Sequence, residues 1–239
     1  MWLTSKTVLP LAACLLTLLS LVTAKSAESK NTQKLSRAHF AFSLDLYKQL
    51  VDSITDGDSE DVNAAVGKNL VYSPFSVNSV LSMLFLGTRS ATNSSQQLRA
   101  SLHLNGMSYV DVHNAFKSVS RVFEDKYYAH KVRAANALFV QEGVAVSAPY
   151  ERALREFYGA EVETLDFRNA DPEQTMGVVN DWVNDVTEGQ IPALMDAPPA
   201  KDAKLVLANA MAMEAKWMQP FSAADTFEKG LFFLPGNQR

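Results

Sequence analysis

Apolar residues recur at helical spacing from Phe40 through Leu44 and Tyr47 to Val51, within a run, RAHFAFSLDLYKQLV, that contains neither Pro nor Gly. That spacing predicts an amphipathic helix burying those four side chains. From Asp52 to Lys68 the period is lost and acidic residues accumulate, which predicts a solvated loop. Leu70, Val71 and Tyr72 then read as a brief buried strand, halted at Ser73-Pro74. Proline's fixed backbone angle suits the first position of a helix, and a serine just before it suits the N-cap. Val77, Val80, Leu81, Leu84 and Phe85 follow at i, i+3, i+4, i+7 and i+8, with Met83 on a neighbouring face. This second helix is expected to be almost wholly buried, with Ser73 and Ser76 buried at the bend.

Farther along, Val132–Gln141 and Ala160–Phe167 read as strands, separated by a helical stretch, APYERALREFYG. Asp171-Pro172-Glu173 caps a helix whose stripe is Met176, Val179, Trp182, Val183 and Val186 and which ends at Gly189. Ala203–Trp217 reads as one long strand. No repeat, low-complexity tract or Pro-, Gly- or Ser-rich linker interrupts the chain beyond residue 24, which predicts one domain of mixed α and β type.

The first residues follow a different pattern. Lys6 precedes an uncharged run from Thr7 to Ala24, and the small-residue pattern Val22-Thr23-Ala24 precedes Lys25. A basic start, a short apolar stretch and a small-residue site predict a secretory signal peptide over residues 1–24. Cleavage is expected between Ala24 and Lys25, giving a secreted, extracellular product. The apolar stretch is short for a bilayer span and is broken by Pro10, so no membrane attachment is expected after cleavage.

At 239 residues, of which 47% are hydrophobic, the chain can bury a substantial core. Losing the leader takes 22 basic residues to 21 against 26 acidic ones, a formal charge of −5, and removes the single cysteine, Cys14. A secreted chain without disulfides depends on its core for stability. Mild acidity gives no reason to expect nucleic acid or a membrane surface as partner. Lys117, Arg121, Lys126, Lys131 and Arg133 are interspersed with Glu124 and Asp125, which reads as a solvated helical face, so no glycosaminoglycan partner is expected. Asn93 opens the one N-x-[ST] sequon and is the expected glycosylation site.

A catalytic constellation is missing. GMSYV at Gly106 lacks the second Gly of a nucleophile elbow, none of His39, His103, His113 and His130 opens an HExxH, and no glycine-rich phosphate loop precedes a Lys-Ser or Lys-Thr pair. Asp56, Asp58 and Glu60 fail as a calcium loop, because Asp61 stands where glycine is needed and Gly67 where the closing acid should be. Neither an enzyme nor a metal or cofactor is expected.

Three segments carry a family resemblance. NLVYSPFSVNSVLSMLFLG resembles the serpin signature that joins a short strand to the helix after it, with Asn69, Ser73, Pro74, Ser76, Leu81 and Gly87 in place. VNDWVNDVTEGQIPALM is similar to the helix that family lays over its large sheet, matching at Asn180, Trp182, Val183, Thr187, Gly189 and Ile191. LVLANAMAMEAKWMQPF resembles an inner strand of that sheet, with Asn209, Trp217 and Phe221 in family positions and Thr226 following. Two departures stand out. GTRSATNSSQQL is two residues longer than the family's usual run, which places the sequon in a loop that tolerates insertion, and Glu214 and Ala215 replace the usual Lys and Gly.

The resemblance implies an α+β, serpin-like fold, with a multi-helix N-terminal half and a large mixed β-sheet. It implies that Ser73, Ser76 and Asn209 lie in the shutter region, beneath the centre of the sheet where strands must part. Trp217 resembles the breach residue at the top of the sheet, where insertion begins. The implied function is suicide inhibition of serine, or in some members cysteine, proteases. An exposed reactive loop is cleaved, stays acylated to the protease and inserts into the sheet as a new strand. The sequence closes at LFFLPGNQR, with a turn at Pro235-Gly236, ahead of the family's partner strand, hinge and reactive loop. Residues 25–239 are therefore expected to be a partial serpin domain that is inactive as given. A non-inhibitory binding or carrier protein of the same fold is the alternative.

Overall fold

The computed structural model describes residues 30–54, 70–88, 92–124 and 132–225. The expected signal peptide with its Ala24–Lys25 junction lies outside these residues, as do Asp56, Asp58, Glu60, Lys126, Lys131, Thr226 and Pro235-Gly236. The chain runs through α1 (Lys30–Ile54), α2 (Pro74–Leu86), α3 (Asn93–Ser101) and α4 (Tyr109–Glu124). Then come β1 (Val132–Gln141), α5 (Ala148–Tyr158), β2 (Glu161–Leu165), α6 (Pro172–Val186) and β3 (Leu205–Met213). A 3-10 turn at Ala223–Asp225 follows.

The strands form one mixed sheet in the order β2-β1-β3. β1 and β2 are parallel, so the chain must return to its starting end between them, and α5 makes that crossover. Gly159 stops α5 in the left-handed conformation (φ 59°), which glycine adopts without strain. β1 is buried on both faces. Leu138 and Val140 join the core formed by the first five helices, while Ala137 and Phe139 face α6. Burial on both sides explains why ALFV carries no polar residue.

On the α6 side, Val179, Trp182 and Val183 pack with Phe139, Phe167, Ala208 and Ala210, the Trp182 ring lying edge-on to Phe139 at 5.9 Å. The apolar stripe of α6 is the one the spacing predicts, although the helix closes at Val186 with Thr187 as its cap, before Gly189. β1, β2 and α5 also stand where the sequence places them.

Four expectations are corrected. α1 buries the stripe Leu35, Ala38, His39 and Phe42, whereas Phe40, Leu44 and Tyr47 are exposed, Phe40 by 47%. Both stripes are apolar at helical spacing, and packing against α4 and α2 decides which one is covered. Leu70–Tyr72 form no strand and Val71 is 90% exposed, because no described strand lies alongside to take their backbone hydrogen bonds. α2 buries Phe75, Asn78, Ser79, Ser82, Met83, Phe85 and Leu86, while Val77 and Leu84 are exposed and Ser73 and Ser76 only half-buried. β3 ends at Met213, not Trp217; Met213 pairs with Val132, and no ladder beyond that pair is found among the described residues.

Candidate functional site

α2 begins beneath the sheet with a pair of serines. Ser73 caps the helix, its Oγ accepting the Ser76 N–H at 3.3 Å, and the Ser76 hydroxyl donates to the same oxygen at 2.9 Å. Each cap bond of this kind is worth about 1 kcal/mol. Two tyrosines hold the far half of α2. Tyr150 donates its hydroxyl to Met83 O at 3.0 Å, and Tyr109 donates to Leu86 O. Burial first, then the neighbouring Tyr109, pushes the Tyr150 hydroxyl up to about 12, so it stays a donor across the physiological range.

Asn209 lies at the middle of β3, paired in register with Asn136 on β1. Its Nδ2 donates to Asn136 Oδ1 at 2.8 Å, and Asn136 Nδ2 donates in turn to the backbone oxygen of Tyr158 at 2.8 Å. The Tyr158 hydroxyl bonds with His113 Nδ1 at 2.7 Å and also with Ser82. Ser82 reaches Asn78 Oδ1 at 3.4 Å. A chain of polar groups thus runs from β3, through β1 and the end of α5, to the buried face of α2. Tyr158 is its hub: side chain on one side, backbone carbonyl on the other. Burial raises the Tyr158 hydroxyl well above its ordinary range and lowers His113 to about 4, the Arg99 cation adding to the second shift, so both are neutral near pH 7.

Three atoms of this chain, Asn78 Nδ2, His113 Nε2 and Asn209 Oδ1, are buried without a hydrogen-bond partner among the described residues. Orphaned groups of this kind cost about 1–3 kcal/mol each and make a network poised to rearrange. Asn136 and Tyr158 also border a cavity of about 340 Å³, whose wall includes Phe75, Phe123 and Arg133. Replacing Tyr158 by Phe should strand His113 Nδ1 and weaken the fold by about 1–3 kcal/mol, read as a lower urea midpoint with an unchanged slope. An unaltered midpoint would remove Tyr158 from the network.

The residues singled out by sequence are only partly brought together. Ser73 and Ser76 bond with each other, and Asn209 bonds with Asn136; no described hydrogen bond joins the two groups. Trp217 lies beyond the end of β3, 70% exposed, edge-on to Phe221 at 6.3 Å. Asn93 is exposed but stands at the first position of α3, not in a loop, because Thr92 caps that helix through the Ser95 N–H at 3.2 Å. Arg133 lies in β1, bonded to Glu188, and so is not on the α4 face that carries Lys117 and Arg121. Asn78, Ser82, His113, Asn136 and Tyr158 escaped sequence reasoning. Asn136 alone carried a signal, being a carboxamide set between alanines in the middle of a strand.

Among the described residues no group of three or more His, Cys, Asp or Glu is placed to hold a metal, and no helix is long and apolar enough to cross a membrane. The arrangement joins β3, the outer strand among the described residues, to the helices beneath it through a polar network.

Comparisons with known proteins agree with that architecture. A family model described as Serpin (serine protease inhibitor) matches residues 37–239. The leukocyte elastase inhibitor A of Rattus norvegicus is 31% identical over 195 residues, covering 81% of this chain and 47% of its own. The leukocyte elastase inhibitor of Homo sapiens is 30% identical over 190 residues, covering 79% and 46%. The crystal structure of cleaved kallistatin complexed with heparin superposes with a TM-score of 0.69 at 27% identity, covering 84% of this chain and 55% of that one. The chain spans about half the length of the curated relatives it matches.

Proposed function

The chain belongs to the serpin family, and from that premise we propose that it is the N-terminal part of a secreted serine protease inhibitor acting by suicide loop insertion. The observation that carries the reading is β3. It lies at the sheet's edge, with a single neighbour among the described residues, and its central Asn209 holds a buried oxygen that lacks a donor. Such an edge is suited to receiving a further strand, whose backbone would pair along Leu205–Met213. Relatives named leukocyte elastase inhibitor support an elastase-like serine protease as partner. In this reading an exposed bait loop of the full-length protein is what such a protease cleaves. Ser73, Ser76 and Asn209 serve as the shutter and Trp217 as the breach.

Residues 1–24 are the leader in this proposal, residues 25–239 a partial serpin domain, and the product is extracellular. Asn93, exposed at the start of α3, carries a glycan. Mass spectrometry of secreted protein should find Lys25 at the N-terminus and Asn93 occupied. A retained leader or a bare Asn93 would remove the corresponding half of the claim.

The deciding experiment incubates the full-length protein with a panel of serine proteases that includes elastase. An adduct that survives SDS is the expected result. Cleavage without an adduct for every protease would replace the inhibitor with a non-inhibitory binding or carrier protein of the same fold.

A further inference from the structure

We propose that Asn105 is a site of spontaneous backbone modification, deamidating and isomerising at its bond to Gly106 in the folded protein. Asn105-Gly106 is the one Asn-Gly pair in the sequence. It occupies the two central positions of the turn between α3 and α4, closed by Met107 N–H donating to Leu104 O at 3.1 Å, and both residues are exposed. Among the described residues no hydrogen bond engages the Asn105 carboxamide or the Gly106 N–H. Apart from Gly106 and its two chain neighbours, no atom lies within 4 Å of where a β-carbon on Gly106 would stand. The electrophilic Cγ and the nucleophilic nitrogen are thus neighbours in sequence, unmasked, and free of the side chain that normally obstructs the attack.

The chemistry needs only water and a base. Gly106 N loses its proton to solvent and attacks Asn105 Cγ; the new C–N bond closes a five-membered succinimide while the carboxamide nitrogen leaves as ammonia, reprotonated by solvent. Water then opens the ring at one of two carbonyls. Breaking the bond between Gly106 N and Cγ leaves an ordinary Asp. Breaking the bond between Gly106 N and the main-chain carbonyl leaves isoaspartate, with the chain now running through the side chain. No electron is gained or lost overall.

The place of the turn gives the modification a consequence. Arg99 Nη1, from α3, donates to Leu104 O at 3.0 Å and to Met107 O at 2.5 Å, and Lys34 Nζ, from α1, donates to Gly106 O at 3.3 Å. These bonds clamp the carbonyls of the turn and leave the two reacting groups untouched. Either product adds a carboxylate to a turn held by two cations. Isoaspartate also lengthens the main chain inside the clamp, which displaces the carbonyls that Arg99 and Lys34 grip.

Folded protein, purified and held at mildly alkaline pH, is sampled over time by peptide mapping, with isoaspartyl methyltransferase labelling to detect isoaspartate. The expected result is an amide-to-acid mass gain confined to the peptide containing Asn105, with methyltransferase-labelled product accumulating alongside. Gly106→Ala, at a position with room for a methyl group and no positive φ, should fold normally by circular dichroism and lose the isoaspartate signal. The inference is overturned if Asn105 stays intact in the folded protein and reacts only in urea, or if Gly106→Ala leaves the rate unchanged.

Discussion

Taking the protein from neutral pH to pH 4 should cost the fold roughly 3 kcal/mol at each of two buried histidines. His39, on the covered face of α1, lies edge-on to Phe75 at 6.1 Å, and burial alone lowers it from 6.5 to about 4. His113 sits among Phe85, Tyr109, Phe157 and Tyr158; burial first, then the Arg99 cation, lowers it likewise to about 4. Both are neutral when folded and bind a proton more readily when unfolded. Stability is therefore complete above about 6.5, falls as the pH drops from there to about 4, and levels off below. Asp166 titrates in a separate window. Its hydrogen bond from Gln141, then those from Asn169 and Arg168, hold its carboxyl at about 2, so its contribution is lost only below the ordinary carboxylate range. Urea midpoints measured from pH 7 down to pH 4 should drop steeply through the histidine window. A flat profile there would mean that neither imidazole is buried in the folded protein.

Replacing Asn209 by Leu in the full-length protein should destabilise the closed sheet and promote self-association on mild heating. The substitution removes the donor to Asn136 Oδ1, leaving a buried oxygen orphaned at about 1–3 kcal/mol, and adds volume beneath the sheet at about 1–3 kcal/mol more. β3 then loses its side-chain tie to β1 at the residue pair nearest its middle, and its other edge, unpaired among the described residues, becomes a template for another chain's strand. Light scattering during a thermal ramp, with the exposed Asn93→Gln as control, reads the outcome. An Asn209→Leu protein that melts with its parent and stays monomeric would show that the carboxamide pair does not restrain the edge.

Where the sequence succeeded and where it failed can be traced to particular elements. β1, β2, α5 and α6 were legible because each pattern had one reading. A wholly apolar ALFV suits a strand covered on both faces, and Asp171-Pro172 with Gly159 mark helix ends by backbone geometry alone. α1 and α2 failed for a common reason. Both carry apolar residues around most of their circumference, so periodicity names a helix without naming its buried face. Phe40 and Leu44 on α1, and Val77 and Leu84 on α2, are as apolar as the residues that are covered, while Ser79, Ser82 and Asn78 are buried because small polar groups fit beneath the sheet.

By itself the sequence determined α1, α2, α5 and α6, most of the strand positions and the family resemblance, since each depends on local spacing, caps and short motifs. Tertiary structure alone decided which helical faces meet the core, that Leu70–Tyr72 have no strand partner among the described residues, that β3 stops at Met213, and that Tyr158 links His113 and Ser82 to Asn136 and Asn209. The physical reason is that hydrogen bonds and burial between distant segments are properties of pairs. His113 and Tyr158 are 45 residues apart and Asn136 and Asn209 are 73 apart, and no local pattern in either member records the other.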